Sequence, residues 1–194
     1  MAIIEAYKWI RTHESVDGLL ENDIRNKFTH NLKRHNSFLK EYINNYTIVL
    51  TKENEAYTRD ETQRTDIELI SPGHENKFVV ECKRLASAEI RYVNGTSDKD
   101  GIYKIDGMEK FIELIYSEND SYAGMLGFIV KGKPSRIVNI LKLKVKDFRP
   151  SEEIEQLINQ KCANWELSFQ SKHLRLNNKK IHLYHLFFDF IQKG

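Results

Sequence analysis

The chain has 194 residues, of which 30% are charged, and its formal net charge is +2. This length fits one domain with a sizeable core, and a hydrophobic content of 40% excludes a disordered chain. No stretch approaches the ~20 apolar residues that span a bilayer, and no basic segment precedes the first apolar residues. We therefore expect a cytoplasmic protein without membrane contact. Its two cysteines, Cys82 and Cys162, lack the spacing of a metal site and are expected to be free thiols.

The first part of the chain is predicted to be helical. Residues 2–13 carry apolar side chains at helical spacing. After a short break, a second helix presents an apolar face formed by Leu20, Ile24, Phe28 and Leu32. Glu21 lies at the edge of that face, where it either meets the positive end of the helix dipole or faces a functional site. A third short helix is predicted over residues 38–43.

Strands are predicted next. Residues 46–51 alternate in polarity as a first strand, and the polar stretch 52–64 is expected to be a loop or an extension at the sheet edge. Two short apolar runs, Ile67–Ile70 and residues 78–80, flank a polar turn that contains proline and glycine. This pattern is typical of a β-hairpin.

Charged residues interrupt this hairpin where a core tolerates none. Asp66 opens the first strand, while Glu81 and Lys83 project from one face of the second and Arg84 from the other, because side chains alternate along a strand. If the strands pair, Asp66 falls across from Glu81 and Lys83. Two carboxylates and an amine then converge, which suits a hard cation such as Mg²⁺. The alternative is an exposed strand end with a surface ion pair, which stabilises little.

The pattern Asp66-x(14)-Glu81-Cys82-Lys83 resembles the D…(D/E)xK core of the PD-(D/E)XK nuclease superfamily. That superfamily includes the restriction endonucleases and many DNA repair and defence nucleases. The proline that often precedes the aspartate is Thr65 here. The resemblance implies an α/β fold with a restriction-endonuclease-like αβββαβ core, in which helices flank a mixed central sheet. Additional N-terminal helices and a C-terminal β-hairpin would extend that core.

The same resemblance implies one nuclease-like domain over residues 1–194. It would hold N-terminal helices in residues 1–45, the core sheet with the active-site hairpin in residues 46–131, and helices followed by the C-terminal hairpin in residues 132–194.

The resemblance also implies roles for individual residues. Asp66 and Glu81, together with the main-chain carbonyl of Cys82, would bind Mg²⁺, for which Mn²⁺ would substitute. Lys83 would position the attacking water. Many members carry a glutamate on the first core helix that reaches the metal, and Glu21 stands at the corresponding place.

Contacts to nucleic acid are less sharply indicated. A glutamine that many members carry in a Gly-Ile-Gln-(Lys/Arg) stretch is missing here, where the sequence reads Gly-Ile-Tyr-Lys and ends at Lys104. Lys104 either contacts a phosphate or is an exposed loop lysine, and Arg84 is a second candidate. Two basic stretches, residues 131–149 and 172–180, either neutralise phosphates or are solvated faces.

The second half of the chain is predicted from its periodicity. Residues 91–107 are expected to form a long loop, 106–116 an amphipathic helix and 123–131 a buried strand. A helix is expected after Pro134 and another over residues 151–161. The tail would end in a hairpin whose last strand, residues 181–190, is buried and aromatic.

The histidines of the tail are not expected to bind zinc. His182 and His185 lie three residues apart, but no third ligand is in sight. Core packing is the expectation for Ser171, His173 and Arg175.

The expected function is that of a Mg²⁺-dependent endonuclease that cuts nucleic acid. DNA is the expected substrate rather than RNA, and the expected setting is restriction, phage defence or repair. Cutting both strands of a duplex usually requires two sites, which favours a homodimer, and a short domain can also depend on a partner subunit. One alternative is a non-catalytic binding protein of nuclease fold, or a partner subunit of a defence system. The other is an α/β interaction module that binds no metal. The first is disfavoured because Asp66, Glu81 and Lys83 are all present.

Overall fold

The computed structural model describes residues 2–34, 49–52, 55–57, 62–70, 77–86, 90–148, 155–159 and 164–191. The helices in these ranges are α1 (Ala2–His13), α2 (Glu21–Arg34), α3 (Glu109–Ile112) and α4 (Pro134–Asp147), and a 3₁₀ turn spans Ile90–Tyr92. Among these helices, none combines the length and the apolar character that a membrane crossing requires.

The first strands of the described ranges are β1 (Val49–Lys52), β2 (Glu55–Tyr57), β3 (Thr62–Arg64), β4 (Ile67–Ile70), β5 (Lys77–Leu85), β6 (Thr96–Ser97) and β7 (Tyr103–Lys104). They are followed by β8 (Tyr122–Ile129), β9 (Glu155–Asn159), β10 (Ser168–Leu174) and β11 (Lys180–Asp189).

One mixed sheet organises the fold. Its strand order is β1-β4-β5-β8-β11-β10-β9. The central strands β5, β8 and β11 run parallel, and the remaining neighbours pair antiparallel. Two small hairpins, β2–β3 and β6–β7, lie outside it. The protein is therefore an α/β fold in which helices flank a mixed sheet.

Each face of the sheet carries its own hydrophobic core. On one face, α1 and α2 cover Val80 and Phe188, and the ring of Tyr7 stacks on Phe188 with 4.7 Å between centroids. On the other face, α4 and the segment before β8 cover Val79 and Phe187. Neighbouring residues of one strand thus enter opposite cores. This double covering explains why β8 is apolar throughout, as the sequence predicted.

The β-hairpin predicted around Asp66, Glu81 and Lys83 is confirmed as a pair of strands. Strands β4 and β5 pair antiparallel, with Ile67 opposite Val80, while the connecting turn at 71–76 lies outside the described residues. The first strand is present as Val49–Lys52. The part of it predicted at 46–48, and the helix predicted at 38–43, also lie outside the described residues.

The helix predicted over residues 151–161 is wrong. Glu155–Asn159 forms β9, which pairs antiparallel with β10 at the edge of the sheet, whereas 151–154 and 160–161 lie outside the described residues. A five-residue segment gains little as an isolated helix. Pairing with the open edge of β10 instead satisfies its backbone groups directly.

Three further expectations are corrected. Only α3, a single turn, forms within the helix predicted over 106–116, because Leu114 and Ser117 take positive φ values of 64° and 56°. Within the loop predicted at 91–107 lies the β6–β7 hairpin, whose turn is held by the Asp98 carboxylate. The stretch predicted as a loop or edge extension at 52–64 contains the separate β2–β3 hairpin.

Candidate functional site

The site begins where β5 extends beyond its neighbour β4. The first residue of β4, Ile67, pairs with Val80, so residues 81–85 of β5 have no β4 residue beside them. On the other side, the carbonyl of Leu85 accepts from the N–H of Val130, 2.9 Å away. Because backbone groups alternate in direction along a strand, the peptide groups of the even-numbered residues point to the open side.

Two carboxylates bind this open edge. The N–H of Cys82 donates to Oδ2 of Asp66 at 2.7 Å, and the N–H of Arg84 donates to Oε2 of Glu21 at 2.8 Å. The carbonyl of Cys82 points to the same side as its N–H, and hence toward Asp66. The extension of β5 thereby draws together Glu21, from the first turn of α2, and Asp66, from the start of β4.

The other oxygen of Asp66 pairs with a guanidinium. Arg25, one turn after Glu21 on α2, donates through Nη1 to Asp66 Oδ1, and both residues are buried. The i, i+4 spacing places Glu21 and Arg25 on one face of the helix. Arg25 therefore fixes the carboxylate that the hairpin places beside Glu81.

Glu81 is the most deeply buried carboxylate of the cluster. Its Oε1 accepts from the ammonium groups of Lys83 at 2.7 Å and Lys110 at 2.9 Å. Its Oε2 is buried and has no hydrogen-bond partner among the described residues. Burial raises the pKa of Glu81, and the Asp66 charge adds to this, against the lowering effect of Lys83 and Lys110.

Lys83 stands between three carboxylates. Its ammonium lies 2.7 Å from Glu81, 3.0 Å from Asp106 and 3.3 Å from Glu21. Burial acts to lower the pKa of Lys83, but the charges of Glu81, Glu21 and Asp106 outweigh it, and the pKa lies well above its usual range. Lys83 is therefore a fixed cation and not a proton acceptor.

Asp106 and Lys110 complete the cluster, and neither was predicted. The Oδ1 of Asp106 lies 3.0 Å from the Lys83 ammonium and 3.6 Å from that of Lys110, while its Oδ2 accepts from Arg91 at 2.9 Å. Burial opposes ionisation of Asp106, but the nearby Lys83 and Lys110 outweigh it and lower the pKa of Asp106 to about 2. This carboxylate stays ionised at neutral pH.

A tight turn holds Asp106 in position. Gly107 has a φ of +58°, and its N–H donates to the Asp106 carboxylate at 2.9 Å. A Cβ at Gly107 would lie 2.4 Å from the carbonyl oxygens of Arg91 and Tyr92, so only glycine fits. The Asp-Gly pair followed by a lysine four residues after the aspartate was the available sequence signal, but it matches no metal or catalytic motif.

The side chains of the remaining predicted residues, Cys82, Arg84 and Lys104, lie outside the cluster. The side chain of Cys82 is fully buried in the core under α2, so only its backbone takes part. The Arg84 side chain projects from the other face of β5, and its Nε is buried with no hydrogen-bond partner among the residues that the structure describes. Lys104 is not brought to the cluster. Its side chain is 72% exposed and pairs with Asp98 at 3.3 Å in the β6–β7 hairpin.

The cluster opens to solvent along one side. The side chains of Glu81 and Lys83 are 1% and 7% exposed, whereas those of Glu21 and Arg91 are 32% and 61% exposed. Glu21 and Arg91 therefore mark the route by which a ligand would arrive. A separate cavity of about 460 Å³ lies between α1 and residues 164–167, away from the cluster.

The donor chemistry of the cluster fits a hard cation. Asp66, Glu81 and the Cys82 carbonyl supply oxygen donors, and the buried Oε2 of Glu81 has a free coordination position. The present arrangement is nevertheless neutralised by side chains, since Arg25, Lys83 and Lys110 contact these carboxylates. In the described ranges, no three His, Cys, Asp or Glu side chains are arranged as a ready metal site.

A second buried polar group lies between β10, β11 and the 3₁₀ turn. The hydroxyl of Tyr92 hydrogen-bonds His185 Nδ1 at 2.9 Å, and Ser171 Oγ hydrogen-bonds His185 Nε2 at 2.8 Å and His173 Nε2 at 2.7 Å. Burial lowers the pKa of His173 to about 4. Burial, with the neighbouring His173, also holds the pKa of His185 well below its usual range. These four residues form a neutral chain inside the core, as the core-packing expectation for Ser171 and His173 implied.

Known proteins give no further guide to the function of this cluster. No family model, no curated protein and no solved structure gives a significant match to this chain.

Proposed function

We propose that the chain is a Mg²⁺-dependent nuclease that hydrolyses phosphodiester bonds of nucleic acid and prefers DNA to RNA as its substrate. The observation that carries this proposal is the convergence of Asp66, Glu81, Lys83 and Glu21 at the extended end of β5. Within the described ranges, the buried Oε2 of Glu81 has no hydrogen-bond partner. Burial of that oxygen costs free energy, which a bound cation would offset.

The order of elements supports the finer proposal of a restriction-endonuclease-like core. Helix α2 is followed by the antiparallel strands β1, β4 and β5, and then by β8, which lies parallel to β5. This succession follows the expected αβββαβ order. It departs from that order in the connection to β8, where the single turn α3 is the only α-helix among the described residues.

Each residue has a separate task in the proposed reaction. Asp66, Glu81 and the Cys82 carbonyl would hold the cation, which when bound polarises the scissile phosphate and lowers the pKa of a bound water. Lys83, a permanent cation, orients that water and offsets the charge that develops on the phosphate. Glu21 holds Lys83 from the solvent side and is available to complete the cation shell.

A cleavage assay tests the proposal. Supercoiled plasmid, single-stranded DNA and RNA would be incubated with protein in Mg²⁺, Mn²⁺ or EDTA, and Lys33→Met, at an exposed lysine of α2, would serve as the matched control. We expect cutting that needs the metal, falls at least about 100-fold in Asp66→Asn and Lys83→Met, and is unchanged in the control. Cutting that persists in both site variants would contradict the proposal. Light scattering on the same sample tests the proposed homodimer.

The second candidate is a non-catalytic nucleic-acid-binding protein or a partner subunit of a defence system. The ion pairs favour it, because Arg25, Lys83 and Lys110 already neutralise the carboxylates that a metal would need. It predicts retention of DNA or RNA in a mobility-shift assay, with no effect of Mg²⁺ and no cutting.

A further inference from the structure

The two lysines and two carboxylates at the centre of the cluster alternate in sign. Glu81 Oε1 lies 2.7 Å from Lys83 and 2.9 Å from Lys110, and Asp106 Oδ1 lies 3.0 Å from Lys83 and 3.6 Å from Lys110. One oxygen of each carboxylate is thus shared between both ammonium groups. The four side chains balance in charge, and all are at least 85% buried, since Lys110 is the most exposed at 15%.

We propose that Lys110 neutralises Glu81 and Asp106 while the metal is absent. When a divalent cation binds at Asp66, Glu81 and the Cys82 carbonyl, the Lys110 ammonium leaves Glu81 and keeps the Tyr116 hydroxyl. The inference rests on the proposed metal-dependent function and adds a regulatory step to it. Until the metal binds, the Lys110 ammonium stays on the Glu81 carboxylate.

Lys110 has a second kind of partner, a tyrosine, whereas Lys83 contacts carboxylates. Its ammonium already donates to the Tyr116 hydroxyl at 3.1 Å and lies 5.0 Å from the centre of the Tyr116 ring. A tyrosine face and hydroxyl can retain a cation that has lost a carboxylate. Lys83, by contrast, contacts three carboxylates and projects from the middle of the sheet.

The backbone around Lys110 also differs from that around Lys83. Lys110 belongs to α3, which is a single turn that ends before the positive φ of Leu114. Lys83 belongs to β5, which pairs with β8 over six residue positions. A shift of the Lys110 side chain therefore disturbs few regular backbone hydrogen bonds.

Charge balance gives the reason for the displacement. A divalent cation at Glu81 Oε2, which has no hydrogen-bond partner in the described part of the chain, would add two positive charges beside the buried ammonium groups of Lys83 and Lys110. Positive charges that share one carboxylate repel each other strongly in a medium of low dielectric constant. When the Lys110 ammonium leaves Glu81 and keeps the Tyr116 hydroxyl, that repulsion becomes weaker.

Calorimetric titration with Mn²⁺ at pH 8 tests the inference, using wild type, Lys110→Met and the surface control Lys104→Met. We expect Lys110→Met to bind Mn²⁺ at least about tenfold more tightly than wild type, because no ammonium has to be displaced. Lys104→Met should match wild type. In thermal unfolding, Lys110→Met should melt lower than wild type without metal and gain more from added Mn²⁺.

Each result separates the two proposals. Mn²⁺ binding by wild type with equal or weaker binding by Lys110→Met would overturn the role of Lys110 and leave the proposed function standing. Binding by neither protein would overturn both. Binding by Lys110→Met alone would support the role of Lys110 in its strongest form.

Discussion

The fold contains two buried polar clusters that solve the same problem in different ways. At the extended end of β5, the carboxylates of Glu81 and Asp106 lie among ammonium groups. Between β10 and β11, Ser171, His173 and His185 form a chain of neutral hydrogen-bonding groups. The first cluster keeps charge in the interior, and the second avoids it.

The difference indicates which cluster is suited to chemistry. Replacing a buried ion network by apolar residues is often neutral or stabilising, so such a network is weak evidence for a structural role alone. The charged cluster also opens to solvent near Glu21 and Arg91. Each cluster holds a buried atom without a hydrogen-bond partner among the described residues, Glu81 Oε2 in the first and His173 Nδ1 in the second, so the opening is what sets the charged cluster apart. The histidine chain is closed to solvent and links strands, which fits a structural role.

The largest expected effect is the loss of Lys83. Lys83→Met removes the cation that three carboxylates share and leaves buried negative charge without its main partner. Breaking a buried ion pair from one side costs about 3–5 kcal/mol in the free energy of unfolding. Urea unfolding at pH 7.5 measures it, with Lys104→Met as the control that should behave as wild type. A loss of less than about 1 kcal/mol would mean that the cluster is effectively solvated.

Acid should affect the histidine chain first. The pKa of His173 is about 4 in the folded protein against an ordinary value of 6.5, so the unfolded chain takes up the proton first and stability falls as pH drops from about 6.5 toward 4. From pH 7 to pH 5 this single group should cost about 2 kcal/mol. Urea unfolding across this range tests it, and His173→Gln, which does not titrate, should flatten the slope. An unchanged slope would show that His173 is not buried in neutral form.

The charged cluster should respond in a lower pH window. The folded-state pKa of Asp106 is about 2, below its ordinary 3.8, so its contribution is present above pH 3.8 and is lost as pH falls toward 2. Glu81 acts in the opposite sense, because its raised pKa favours the protonated folded form. The loss of the Asp106 contribution therefore falls at lower pH than the loss of the His173 contribution.

Much of the fold could be predicted from the sequence because the patterns were local. The hairpin of β4 and β5 was marked by two apolar runs around a polar turn, and β8 by its unbroken apolar character. The segment at Glu155–Asn159 could not be assigned correctly, because its strand depends on the distant partner β10. A short segment takes the structure of whichever neighbour satisfies its backbone.

The candidate site divides in the same way. The hairpin and the alternation along β5 were enough to predict that Asp66, Glu81 and Lys83 lie close together. Helical periodicity indicated Glu21 as a further candidate. Asp106 and Lys110 reach the cluster through a glycine-dependent turn and a single helical turn, which periodicity does not reveal. Arg25 was hidden because an arginine one turn into a helix usually faces solvent.

The smallest expected effect is at the solvent side of the cluster. Glu21→Gln keeps an oxygen acceptor for the Arg84 N–H but removes a charge 3.3 Å from Lys83, and the Glu21 side chain is 32% exposed. Screening by water limits the loss of unfolding free energy to less than about 1 kcal/mol. Urea unfolding measures this change, and Mn²⁺ calorimetry shows whether Glu21 contributes to the cation shell. A loss as large as that for Lys83→Met would place Glu21 among the buried charges.

The most direct test is the position of a metal ion. Anomalous diffraction from a crystal soaked in Mn²⁺ should reveal a peak bounded by Asp66, Glu81 and the Cys82 carbonyl, with the Lys110 ammonium detached from Glu81 and still bonded to the Tyr116 hydroxyl. A structure in which Arg25, Lys83 and Lys110 keep their carboxylates and no Mn²⁺ occupies the cluster would contradict the account.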